Sequence, residues 1–207
     1  MTHIEDTSKT PIIITNNCWG YHYYQNNNIA YPTPFIGLFI FAPDYLEMLK
    51  DFEKHMSAPL KFTKKSKYHL KHKDYPIGKL LDVEIHFLHY KSEDEAKSKW
   101  DRRKSRMHKN MDNYYFKFDD VEKPFEDIYL KRFYSLPFKN KISFTKERHP
   151  EYKNNLEFYF GKSLSGGRLY RTTPFYFNIN KWLAGKGLSK HFHYKLYQNT
   201  LSHLFNR

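Results

Sequence analysis

Apolar residues in this chain fall into short β-branched or aromatic runs, separated by stretches where they recur every three or four positions. Pro11-Ile-Ile-Ile-Thr15 is the first run; it ends in Asn16-Asn17 and predicts a buried strand that stops at a turn. Asn17 then caps a helix that begins at Cys18-Trp19-Gly20. Residues 35–41 predict a second buried strand. Pro43-Asp44 opens a helix with Leu46, Leu49, Phe52 and Met56 on one face. Residues 61–73 are basic and irregular, as in a loop or sheet edge. Residues 82–90 form the clearest strand, with Val83, Ile85, Phe87 and His89 on one face because strand side chains alternate. Ser92 and Glu95 make a capping box, and the helix it starts carries Ala96, Trp100, Arg103 and Met107 on one stripe. Residues 114–118, 141–145 and 156–160 are further strands. Pro124 opens a helix whose Phe125, Ile128, Tyr129 and Phe133 face inward.

Strands alternating with helices predict an α/β fold: a largely parallel or mixed central sheet flanked by helices, with a C-terminal helical tail. Residues 1–178 are assigned to that domain. Residues 179–207 are assigned to a C-terminal helical appendage packed on it, in which 181–185 end a short helix and 191–205 form a basic, weakly amphipathic tail.

Composition narrows the setting. A chain of 207 residues buries enough surface for an ordinary core. Cys18 is its only cysteine, which excludes an intrachain disulfide and a disulfide-built secreted scaffold. The polar start, with Glu5 and Asp6, lacks the basic and apolar regions of a signal peptide. The longest apolar run, 35–42, is too short to span a bilayer. A cytoplasmic location is expected. The formal charge of +13 is spread along the chain without zinc-finger spacing, basic heptads or an aromatic RNA-binding signature, so no nucleic-acid partner is expected. Lys, Asn, Ile, Tyr and Phe are the residues of AT-rich codons, which accounts for part of that charge. An anionic ligand and weak association of the tail with a membrane surface suit the remainder.

Several stretches together resemble one bacterial family. They are Asn16-Asn-Cys-Trp-Gly20; Pro34-Phe-Ile-Gly-Leu-Phe-Ile40 with Asp44-Tyr45; Tyr75-Pro-Ile-Gly-Lys79; Glu84-Ile-His-Phe-Leu-His-Tyr90; and Ala96 with Trp100-Asp-Arg-Arg103. Leu136-Pro-Phe-Lys-Asn-Lys141 and Lys181-Trp-Leu183 extend the match. The pattern resembles the domain of unknown function nineteen-nineteen, often labelled exopolysaccharide biosynthesis protein. The resemblance implies an α/β fold and a role in making capsular or exopolysaccharide, and it supplies no mechanism.

The chemistry expected of the residues centres on Cys18. Ligands of open α/β sheets bind beyond the carboxyl ends of the strands, where Cys18 falls at a helix start. Helix N–H groups there lower a thiol pKa, and His22 or His89 would serve as base. That equipment suits acyl transfer, and the expected reaction is O-acetylation of the glycan from a coenzyme A thioester. A separate polysaccharide acetyltransferase family has a similar Gly-Asn-Cys-Gln motif. Asn16, Asn17, Trp19, Tyr90 and Arg103 are the expected contacts to an oligosaccharide acceptor or an anionic group, with Asn17, Cys18, Trp19, His89 and Tyr90 lining one pocket. A buried structural role for Cys18 is the competing reading. An ion pair of Arg103 with Asp82 or Glu84 is preferred to a ligand contact. His86 and His89 point to opposite strand faces, so no metal is expected. Asp119-Asp120 reads as a solvated turn. The alternative functions are a non-catalytic protein binding a glycan or nucleotide-sugar, or a glycosyltransferase.

Overall fold

Three isoleucines in a row suit a strand covered on both faces, and Ile12–Thr15 forms that strand, β1, buried throughout. The computed structural model describes residues 10–68, 74–120, 126–158 and 166–190, with the side chains of 166–168 aside. After β1 and a 3-10 turn at Cys18–Gly20 come α1 (Tyr21–Asn26), α2 (Ala42–Lys50) and α3 (Phe52–Ser57). Next are β2 (Lys61–Thr63), β3 (Ile77–Leu80), β4 (Val83–His86) and α4 (Glu93–Lys104). The chain continues through β5 (Tyr114–Asp119), α5 (Asp127–Ser135), β6 (Asn140–Thr145) and β7 (Asn155–Glu157) to α6 (Gly166–Tyr176) and α7 (Ile179–Leu183). The chain is thus an α/β protein. One sheet is four-stranded and wholly parallel, in the order β1-β5-β6-β7; the other is antiparallel, in the order β2-β3-β4.

Side-chain alternation divides the parallel sheet between two cores. Ile12, Ile14, Tyr114, Phe116 and Phe118 face a core shared with α2, α4, α5 and the antiparallel sheet. Ile13, Tyr115, Ile142, Phe144 and Leu156 face α1, α6 and α7. Helix starts follow the sequence closely. Ser92 Oγ accepts from Glu95 N at 3.1 Å, Asn17 caps the 3-10 turn, and Pro43 lies in the first turn of α2.

Five expectations need correction, the first being the single helix through Leu46, Leu49, Phe52 and Met56, which breaks at Asp51 into α2 and α3. Residues 35–41 are buried but not a strand: Gly37 takes φ +69°, and only Phe39 bridges β4, at His86. β4 ends at His86, so His89 lies in the following turn rather than on the strand row. On α5 the inward side chains are Leu130 and Phe133, whereas Ile128 is 48% exposed. Helix α6 was not anticipated, because Gly166-Gly167 and Pro174 mask its periodicity. Pro124, Phe125 and the 191–205 tail lie outside the described residues.

Candidate functional site

All four parallel strands end on one side, and there β1 and β5 place a buried polar cluster. Thr15 pairs in register with Lys117, and alternation puts Lys117 and Asp119 on the same face of β5. Lys117 Nζ contacts the Asp119 carboxylate and donates to Asn17 Oδ1 at 3.0 Å and Asn16 Oδ1 at 3.4 Å. Asn17 Nδ2 donates to Asp119 Oδ2 at 2.7 Å, and Asn16 Nδ2 approaches Oδ1 at 3.4 Å. Every member is buried. Burial lowers the Lys117 pKa, and Asp119 opposes that shift by favouring the charged amine. Asp120, the next residue, is also buried; burial raises its pKa, partly offset by the Lys146 N–H at 2.9 Å from Oδ2. This acidic pair is therefore not a solvated turn.

Cys18 stands at the wall of this cluster. Its Sγ donates to Leu38 O at 3.5 Å, and it lies within electrostatic reach of Lys117, Tyr21 and Tyr90. Burial pushes its thiol up to about 11, against the pull of Lys117. That is the reverse of the expected lowering, because the turn at Cys18–Gly20 is only three residues long and desolvation outweighs its dipole.

A cavity of about 280 Å³ is lined by Tyr21, Tyr31, Ile36, Gly37, His89, Tyr90, Lys99 and Arg103. Its floor is built by hydrogen bonds. Tyr90 Oη donates to Ile36 O at 2.5 Å and accepts from Arg103 Nη1 at 2.6 Å. The Arg103 guanidinium lies 4.9 Å from the centre of the Tyr31 ring, over its face. Arg103 is only 7% exposed, and among the described residues no carboxylate pairs with it. The expected acids are occupied elsewhere: Glu84 accepts from Ser66 and Lys67 N, and Asp82 faces His55. The hydrogen bond to Tyr90 uses one of the five N–H donors of the guanidinium. Lys99 adds a second charge, although it also pairs with Glu95 at 2.6 Å. The exposed His89 stands at the rim.

The expected site residues thus divide. His89, Tyr90 and Arg103 share the cavity. Asn16 and Asn17 belong to the Lys117–Asp119 cluster, and Cys18 is not among the residues that line the cavity. Trp19 is fully buried in the other core, donating from Nε1 to Thr173 Oγ1 at 3.0 Å. His22 packs between Tyr21 and Tyr170, and burial lowers its pKa, followed by Arg171. Among the described residues no hydrogen bond or ion pair joins Cys18 to His22 or His89. No three His, Cys, Asp or Glu side chains converge as a metal site among those residues. Lys117, Tyr21, Tyr31 and Lys99 escaped the sequence reading, and Asp119 was assigned there to a solvated turn. Lys117 had a signal: a lysine inside the apolar run Tyr114-Tyr-Phe-Lys-Phe118 must find a buried partner.

No helix among the described residues is long and apolar enough to cross a membrane. A protein of Haemophilus influenzae named only "Uncharacterized protein" is 37% identical over 149 residues, which cover 72% of this chain and 68% of that protein. Residues 4–166, which hold the Asn16–Asp119 cluster and every residue lining the Arg103 cavity, match the family described as "Domain of unknown function (DUF1919)", and the chain belongs to that family.

Proposed function

We propose that the chain acts in the cytoplasm in bacterial surface-polysaccharide biosynthesis, where its Arg103 cavity binds a phosphate-bearing sugar of the nucleotide-sugar class. One observation carries this reading: a guanidinium buried without a carboxylate, set among tyrosine rings at the edge of a cavity. A buried cation is costly unless an anion meets it, and arginine suits phosphate through paired N–H donors. Tyr21, Tyr31 and Tyr90 line the same cavity and give it an aromatic wall for the apolar side of a sugar. A cavity of about 280 Å³ is at the small end of ligand pockets. It has room for one sugar or one phosphate, with the rest of the ligand along the surface.

His89 favours a second reading, O-acetylation of the glycan. In that reaction a glycan hydroxyl oxygen attacks the thioester carbonyl carbon of acetyl-coenzyme A. The new C–O bond forms as the C–S bond breaks; His89 accepts the hydroxyl proton and passes it to the departing sulfur, so coenzyme A leaves as its thiol. A raised Cys18 pKa argues against an acyl-cysteine intermediate, so transfer is direct within a ternary complex.

Calorimetric titration with UDP-glucose, acetyl-coenzyme A and a neutral oligosaccharide tests both readings. Binding of UDP-glucose but not the neutral sugar supports the first. Binding of acetyl-coenzyme A, with release of free thiol when glycan is added, supports the second. Equal binding of the neutral sugar alone would remove the phosphate from the account.

A further inference from the structure

The amino ends of β6 and β7 carry another concavity, remote along the strands from the Asn16–Asp119 cluster. Lys139 and Asn140 at the start of β6, Lys153 and Asn154 before β7, α7 and residues 185–190 border an open hollow of about 760 Å³. Among the described residues twelve line it, of which five are lysines (139, 153, 181, 186 and 190) and none is Asp or Glu. A codon bias multiplies lysines over the whole surface; it does not gather them around one hollow without acids. Lys153, Lys181 and Lys186 are exposed. Lys139 has an open, exposed pairing with Asp112 at 3.7 Å, and Lys190 donates to Asn155 O at 3.2 Å. Like charges grouped around one hollow add to a positive potential that attracts anions. Gly187, with φ +75° and open space where a Cβ would project, keeps the backbone beside them accessible.

The geometry points to a binding site for a compact ligand bearing two or more clustered phosphate groups. Lysines read charge rather than planar geometry, so the number of charges sets affinity here. The hollow shape selects a compact ligand over a flat surface. Such phosphates occur free in solution or on lipid headgroups, and the test separates these sources.

Inorganic tripolyphosphate is titrated into the full chain at constant ionic strength, with orthophosphate and vesicles containing phosphatidylglycerol as parallel arms. Tripolyphosphate is expected to bind at least tenfold more tightly than orthophosphate. The Lys153→Glu/Lys186→Glu variant, altered only at exposed positions, should lose at least tenfold in affinity, while Arg103→Gln keeps it. The proposal is overturned if the charge reversals leave tripolyphosphate binding unchanged, or if Arg103→Gln abolishes it. Lysine-dependent sedimentation with vesicles, without tripolyphosphate binding, would also overturn it and assign the patch to a membrane surface.

Discussion

At Cys18 two effects of opposite sign meet. A helix start and Lys117 favour the thiolate, whereas removal from water favours the thiol, and desolvation is the larger. With the thiol pushed up to about 11, the thiolate fraction at pH 7 is roughly one in ten thousand. Alkylation of the folded protein should therefore be slow at pH 7 and climb steadily toward pH 10, and Cys18→Ser should leave ligand binding intact. A rate plateau near neutral pH would contradict this. Asp120 makes a prediction about stability. Burial raises its folded pKa above the ordinary 3.8, so its contribution is fully present below that value and is lost as pH rises through the folded pKa. Asp120→Asn removes that loss. Thermal unfolding from pH 4 to pH 7 should show the variant gaining on the wild type as pH rises; parallel curves would show that Asp120 ionises as it does in water.

Elements with one clear period were legible before the structure. The isoleucine run gave β1, the capping box gave α4, and the spacing of Leu46 and Leu49 gave α2. Legibility failed where a local signal was overridden. The run 35–41 reads as a strand by composition, yet Gly37 turns the backbone at φ +69° to form the cavity wall. A Cβ there would lie 3.2 Å from the Tyr90 ring and 3.4 Å from His89 Cβ. Gly37→Ala should cost about 1–3 kcal/mol from backbone strain and weaken ligand binding by disturbing Tyr90. Denaturant unfolding and the titration measure both, and a variant as stable as the wild type would contradict the strain. Lys117 was missed for a related reason: an apolar run was read by its majority, although its one charged member builds the cluster at the strand ends.

Over the whole molecule, the sequence showed the amount of positive charge but not its placement. Strand order brings Lys117 to Asn16 and Asn17 across a hundred residues, and α4 carries Arg103 to Tyr31 across more than seventy; no local pattern records either contact. The candidate site was therefore only partly readable. His89, Tyr90 and Arg103 share a cavity, while the buried setting of Cys18 and Trp19 depends on packing from distant segments. Binding at Arg103 should weaken as salt rises, but less than at the exposed lysines, because a buried charge is screened less. The most direct test is the affinity for UDP-glucose of the wild type, Arg103→Lys and Arg103→Gln, with thermal unfolding to confirm that each is folded. The charge-assisted contact is worth about 1.5–3 kcal/mol, so the account predicts at least a tenfold loss in Arg103→Gln and a smaller loss in Arg103→Lys. Equal affinity in all three folded proteins, or no binding by the wild type at millimolar ligand, would contradict it.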